Sequence, residues 1–305
     1  MCLKDVVQIG YAFFCVIINM FGCDDMKTAL VLEGGAMRGM YTAGVLDALL
    51  ERNISVDAVI GVSAGALFGV NYITKQKGRS LRYNKKYLGD KDYFSFSSFF
   101  KTGNVMNEEF CFKKLVYELD PIDFQAFQRS KVKFYVTVTN IETGKAEYKL
   151  IDDLKQDMEY LRASGSMPVV SKIVKIDKKK YLDGGIADSI PVLAAKRLGY
   201  DRVVVVLTRP EGYCKKKSTL LPYYACYRDY PKFIDAARNR PNVYNNTLKK
   251  ISKLEKEGSI FVIRPSTLVK VKHLEMDIQK VEAIYNLGMH DTLEKMNDLK
   301  KFLNS

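Results

Sequence analysis

Gly61-Val62-Ser63-Ala64-Gly65 is where the residue types and spacing of this sequence first suggest chemistry. It is a G-x-S-x-G elbow placed after an aliphatic run and before a stretch of small residues. A serine on a tight strand-to-helix turn is strained and exposed. Gly61 and Gly65 are needed there because a Cβ at either position would collide with the opposite limb. A helix opening at Ala64 aims its first N–H groups and its dipole at the turn, which favours developing negative charge. Nucleophilic attack by Ser63 fits that arrangement.

A serine hydroxyl needs a base. The chain has only two histidines, His273 and His290. His273 comes late, as the histidine of an α/β-hydrolase triad would, so a small-ester or thioester hydrolase using His273 is one alternative and a non-catalytic lipid-binding module another. His290 falls in the closing helical stretch and reads as a surface residue. Asp183 is the other candidate, at the end of a predicted strand and before Gly184 and Gly185. A carboxylate within reach of Ser63 could take the proton directly, and partial burial would raise its basicity. Taken alone, Asp-Gly-Gly also reads as a plain turn.

The third element is Gly34-Gly35-Ala36-Met37-Arg38-Gly39. It follows a strand and opens a helix, so its amides can cradle an anion. Ala36 breaks the dinucleotide-binding glycine pattern, and no Gly-Lys-Ser/Thr marks a P-loop. An oxyanion hole fits, with the Gly35 and Ala36 amides near the developing charge. Arg38 either meets a substrate phosphate or braces the loop.

These groups need a frame. Residues 28–32 and 56–60 read as strands, 41–51 and 66–73 as helices, with a glycine turn between each pair. That alternation predicts a parallel sheet covered by helices. Residues 79–130, rich in Tyr, Phe and Lys, read as a cap or pocket wall, or equally as core. A hairpin is expected from 133–139 and 146–150, a helix over 152–163, and short strands at 173–176 and 180–182. Pro191 suits the first position of a helix through 198. Four consecutive valines in 202–207 mark a fully buried strand. One more strand, at 260–263, and a long helix over 276–302 follow.

The 305 residues are 47% hydrophobic and 27% charged, which excludes a disordered tail, a collagen-like fibre and a multi-span membrane protein. The net charge is +13, concentrated late: residues 211–305 carry 18 basic and 11 acidic side chains. Lysine runs at 178–180 and 215–217 could attract anionic lipid, nucleic acid or an acidic substrate, and read more simply as solvated turns. No zinc-finger spacing or RNA-binding signature supports nucleic acid. Six cysteines without a C-x-x-C pair suggest free thiols in a reducing compartment. Residues 6–23 are uncharged and read as a membrane anchor, a signal peptide, or sequence upstream of a true start at Met26. The last reading implies a cytoplasmic, membrane-peripheral protein, and the first a membrane-anchored one.

The three motifs, in this order, resemble those of the patatin-like phospholipases, whose pattern is G-G-x-x-[RK]-G, then G-x-S-x-G, then D-G-[GA]. Arg162-Ala163-Ser164-Gly165-Ser166-Met167-Pro168 is similar to the family's A-S-x-S-x-P stretch. The likeness covers about residues 28–200 and is strongest to bacterial members. It implies a three-layer α/β/α fold with a mainly parallel sheet. It also implies an acyl-lipid substrate and hydrolysis by a Ser63–Asp183 dyad through an acyl-enzyme, and the net positive charge would help at an anionic membrane surface. Residues 34–39 would be the oxyanion loop. Neither metal nor cofactor is implied. Ala36 stands where some members carry glycine, and it still supplies an N–H. The chain then divides into a hydrophobic segment (1–25), a catalytic domain (28–200), and the last core strands with a helical C-terminal extension (201–305).

Overall fold

The computed structural model describes residues 26–93, 95–268 and 270–305. The hydrophobic stretch at 6–23, with its anchor, leader and start-site readings, lies outside these residues. Among the described residues, no helix is long and apolar enough to cross a membrane.

An eight-stranded sheet forms the centre. Its strands are β1 (Thr28–Leu32), β2 (Ala58–Val62), β3 (Lys133–Asn140), β4 (Lys145–Leu150), β5 (Val174–Ile176), β6 (Lys179–Asp183), β7 (Arg202–Val206) and β8 (Phe261–Ile263). Hydrogen-bonded neighbours run β5-β6-β3-β2-β1-β7-β8, with β4 added on β3. The stretch from β3 to β8 is parallel, while β4, β5 and β6 join antiparallel.

The helices are α1 (Met40–Glu51), α2 (Ala64–Ile73), α3 (Arg79–Tyr87), α4 (Phe96–Thr102), α5 (Phe124–Arg129), α6 (Met158–Gly165), α7 (Val192–Arg197), α8 (Leu221–Tyr227), α9 (Pro231–Lys256), α10 (Ile278–Glu294) and α11 (Met296–Asn304). A π-helical segment, Phe110–Leu119, lies between α4 and α5.

Strand periodicity builds the layers. Successive side chains point to opposite faces, so Leu30, Leu32, Val204 and Val206 join one core with Tyr41 and Val45 of α1 and Ile284 of α10. Ala29, Val31, Val203 and Val205 join another with Val192 of α7 and Ile251 of α9. Both faces of the central strands are therefore dry, which is why they read as unbroken aliphatic runs. The result is the expected three-layer α/β/α arrangement, with a largely helical C-terminal region.

Several boundaries move. β2 continues through Gly61 and Val62, two residues past the predicted end, because its pairing with β3 persists to Val62–Thr137. The helix expected over 152–163 starts at Met158. Asp157 accepts from the amides of Asp152 and Asp153, and Asp153 accepts from those of Lys155 and Gln156, so side chains take the amides a helix would use. Pro191 has a non-helical ψ of 42° and caps α7 rather than opening it. The closing helix breaks at Lys295 into α10 and α11. Residues 79–130 serve as both wall and core: Tyr83, Tyr87, Tyr93 and Phe110 pack ring against ring, while Phe100 is 84% exposed.

Candidate active site

Ser63 sits between β2 and α2 with φ 53° and ψ −124°, outside the conformations an L-residue prefers. Close approach explains the flanking glycines. A Cβ on Gly61 would lie 2.5 Å from Ala66 Cα, on the opposite limb of the turn. At Gly65 the obstacle differs from the one expected: its Cβ would lie 2.6 Å from the Leu32 carbonyl oxygen of β1. Gly65 lets the elbow dock on the neighbouring strand.

The register of β3 brings Asp183 to Ser63. The amides of Lys133 and Ile141, both odd-numbered, donate to Asp57 and Lys180. Peptide groups alternate along a strand, so β2 and β6 share one edge of β3. There Val62 pairs with Thr137 and Asp183 with Val138. Two strands running in opposite senses thus end nose to nose. Ser63 Oγ donates to Asp183 Oδ2 at 2.7 Å, and the Gly185 amide donates to Asp183 Oδ1 at 2.7 Å. Ser63 is 6% and Asp183 7% exposed. Burial raises the Asp183 pKa above its ordinary value. Arg240, the two hydrogen bonds and Lys215 pull against that rise.

The Ala163–Pro168 neighbourhood locks the junction. Ser164 Oγ accepts from the Ser63 amide at 2.8 Å and donates to the Thr137 carbonyl at 2.8 Å. The Ser166 carbonyl accepts from the Asp183 amide at 2.9 Å. Thr139 Oγ1 donates to the Asp183 carbonyl. Gly184 lies so close to β3 that a Cβ would sit 2.2 Å from the Thr137 carbonyl oxygen.

The glycine-rich loop runs beside Ser63. Gly34 donates to Ser189, Met37 to the His273 carbonyl and Arg38 to Gly35. Among the described residues, the Gly35 and Ala36 amides donate to no protein acceptor. Both residues line the same cavity as Ser63 and Asp183. Ala36 has φ 48°, the left-handed region glycine tolerates best, which accounts physically for glycine as an alternative there. Residues Ala36–Gly39 form a 3₁₀ turn in which Met37, Arg38 and Gly39 are buried. A Cβ on Gly39 would meet the Ala64 Cβ at 2.6 Å, so loop and elbow pack directly together.

Two unlike cavities meet at Ser63, sharing Ala36 and Met167. One, of about 200 Å³, carries Arg38, Arg209, Lys215 and Arg240. The other, of about 80 Å³, is walled by Met37, Leu67, Phe68, Tyr83, Tyr93 and Met106. A further apolar cavity of about 60 Å³ continues past Leu67, Tyr83, Tyr93 and Met106.

His273 lies in the wall of the cationic cavity, with Nε2 3.4 Å from Arg38 Nη2. Desolvation, and then the charges of Arg38, Lys215, Arg240 and Arg209, push its pKa down to about 4. His290 is on α10, with its ring exposed, beside Asp291. Arg38 is 7% exposed, and burial followed by the charge of Arg209 lowers its pKa.

Several residues at the site carried no sequence signal of their own. Ser164 and Ser166 belong to the small-residue stretch, but nothing in it announced which atoms they would hold. Lys215 belongs to a lysine run that reads as a solvated turn. Lys216 and Lys217 are exposed, whereas Lys215 is drawn into the cavity wall. Glu33 is 2% exposed and accepts from Tyr244 Oη and from the Thr208 amide and hydroxyl.

The chain is similar to known proteins. The profile of a family described as "Patatin-like phospholipase" matches residues 30–196, and that of a "Domain of unknown function" matches 230–304. An uncharacterized protein, YjjU, of Escherichia coli K12 is 31% identical over 190 residues, covering 60% of this chain and 52% of that protein. Lysophospholipase nte1 of Emericella nidulans is 30% identical over 210 residues, covering 60% of this chain but 12% of that much longer protein. The alignments thus span about half of the first relative and about an eighth of the second. The crystal structure of VipD from Legionella pneumophila overlaps 88% of this chain and 67% of its own, with 15% identity and a TM-score of 0.41. With the profile match covering more than half of its residues, this chain belongs to the patatin-like phospholipase family.

Proposed function

We propose that the protein is a serine acyl hydrolase of lipids, with Ser63 as nucleophile and Asp183 as general base. One observation carries this reading: the 2.7 Å hydrogen bond from Ser63 Oγ to Asp183 Oδ2, made beside the uncommitted amides of Gly35 and Ala36. Family membership, and the lysophospholipase relative, supply the lipid ester as the substrate class.

Ser63 Oγ attacks the ester carbonyl and its proton passes to Asp183 Oδ2. The carbonyl oxygen becomes an oxyanion beside the Gly35 and Ala36 amides, and the α2 N-terminus adds a favourable field. Collapse breaks the bond to the alcohol oxygen, which takes the proton from Asp183. Water then attacks the acyl-enzyme, giving its proton to Asp183, and the fatty acid leaves as Ser63 regains a hydrogen. The apolar cavities beyond Leu67 would take the acyl chain. The +13 net charge supports work at an anionic lipid surface. In this scheme residues 28–200 supply the reacting groups, while 201–305 complete the sheet and wall the cavity.

The test is intact-protein mass spectrometry after a lipid-like fluorophosphonate. Wild type gains one adduct, Ser63→Ala gains none, and Asp183→Asn labels about 10²–10⁴-fold more slowly, the usual contribution of a general base. Labelling that Asp183→Asn leaves untouched but His273→Ala slows would replace the dyad with a histidine base.

A further inference from the structure

The cationic arm of the cleft has no structural explanation within the fold. Arg38, Arg209, Lys215 and Arg240 line it together, and among the described residues none of them forms an ion pair. The buried Nε atoms of Arg38 and Arg240 have no hydrogen-bond partner. Crowding like charges is unfavourable, and an unpaired buried donor adds to the cost.

The arm is also built to stay as it is. Asn245 of α9 accepts from the Lys215 amide at 2.8 Å and donates to the Lys215 carbonyl at 3.0 Å. The Arg209 guanidinium lies 4.5 Å from the Tyr213 ring centroid, and Lys215 Nζ lies 4.8 Å from that of Tyr244. Gly185 leaves room for Arg240, whose Nη2 lies 3.3 Å from where a Cβ would project.

Two carboxylates, Glu33 and Asp183, share the wall. Their oxygens are already taken by Tyr244, Thr208, Ser63 and Gly185. Four cations against two such carboxylates leave an excess that matches a dianion. A phosphomonoester carries about −1.5 to −2 at pH 7 and offers three acceptor oxygens, and guanidinium forks suit it. A quaternary ammonium would enter a region of its own sign, and a neutral glyceride would leave the cations uncompensated.

We propose that this arm seats a phosphomonoester of the substrate itself, so that the ester cleaved at Ser63 belongs to an acyl glycerol phosphate. This rests on the hydrolase reading above. The substrate would straddle Ser63, its chain in the apolar cavities and its phosphate among Arg38, Arg209, Lys215 and Arg240. Burial and the charge of Arg240 already hold the Lys215 pKa down to about 8, in keeping with the crowding that an anion would relieve.

The test compares three substrates of equal chain length, below their aggregation concentrations: lauroyl glycerol phosphate, lauroyl glycerophosphocholine and monolauroylglycerol. Full-length wild type, Lys215→Gln and Arg240→Gln are assayed in parallel. Calorimetry on Ser63→Ala measures binding of lauroyl glycerol phosphate and of inorganic phosphate. The phosphate ester should be preferred over the phosphocholine ester by about tenfold or more in kcat/KM, as one charged hydrogen bond would give. That ratio should fall towards one in both variants.

Equal kcat/KM for all three esters overturns the subsite and leaves the hydrolase standing, and so does a preference that survives both substitutions. Inorganic phosphate binding as tightly as the lipid, with no preference among the esters, would make the arm a site for free anion and overturn the proposal. Should no ester be cleaved, the hydrolase reading fails. The arm is then judged by calorimetry: binding of lauroyl glycerol phosphate that is lost on adding Arg240→Gln upholds it, and absence of binding ends it.

Discussion

Ser63 and Asp183 each hold a position that costs stability and that, in the proposed dyad, serves reactivity. Ser63 keeps a positive φ, a strain of about 1–3 kcal/mol for a residue of its kind. Asp183 lies in a buried place that raises its pKa above 3.8. The sign of the second effect is testable. A carboxyl group whose pKa is raised on folding contributes stability below its unfolded pKa, and that contribution is lost as pH rises through the folded pKa. At pH 7, well above the unfolded pKa, the wild type has therefore lost some or all of that contribution. Asp183→Asn should unfold at a higher temperature than wild type at pH 7, and the gap should close below pH 3.8, as thermal melts across pH would reveal. With Asp183 as the proposed base, the same raised pKa should place the acid limb of kcat/KM above that of an ordinary aspartate. A pH profile falling only below 3.8 would contradict it. Ser63 stood out in the sequence because a serine elbow has a local signature, whereas Asp183, in a motif that alone reads as a turn, was singled out by the order of the three motifs. The role of Gly65 was misread, since its obstacle belongs to another strand.

At the scale of elements, the site is a meeting of strand ends. β2 and β6 abut on β3, and the C-terminal end of α6, with Ser166 just beyond it, fastens the join. Ser164 satisfies one donor on the elbow and one acceptor on β3, so Ser164→Ala leaves the Ser63 amide and the Thr137 carbonyl without their partner. It should cost about 1–3 kcal/mol in chemical denaturation and lower kcat more than it changes KM. The alternation of strands and helices was legible because periodicity and glycine turns are local. The start of α6 was not, since whether Asp153 and Asp157 cap turns or enter a helix depends on how the chain approaches β3. Nor did the break at Lys295 show, because helical spacing continues across it.

At the scale of the molecule, the C-terminal region closes back on the beginning of the fold. α10 lies on α1 so closely that a Cβ on Gly288 would stand 2.1 Å from the Tyr41 carbonyl oxygen, and one on Gly44 2.0 Å from that of Tyr285. Tyr41 Oη donates to Asp291 and Tyr285 Oη to Asp47 across the same seam. Gly288→Ala must part the helices and should destabilise by about 1–3 kcal/mol or more. A melt shifted by less than the scatter of replicates would show that the seam yields. α9 reaches the cleft from this region too, bringing Arg240 and Tyr244 to a wall that also holds Ser63 and Asp183, while Asn245 holds the backbone of Lys215.

The sequence by itself determined the alternation of strands and helices, the order of the three motifs and the choice of Ser63 and Asp183 as candidates, since periodicity, glycine turns and motifs are local in the chain. The tertiary structure alone decided that Ser63 and Asp183 share a hydrogen bond, that Ser164 supports them, and that Lys215 leaves its lysine run to join three arginines. Those facts depend on register across β3 and on helices more than a hundred residues away. Charge counting registers how many cations a chain has, and only folding brings four of them into one cleft.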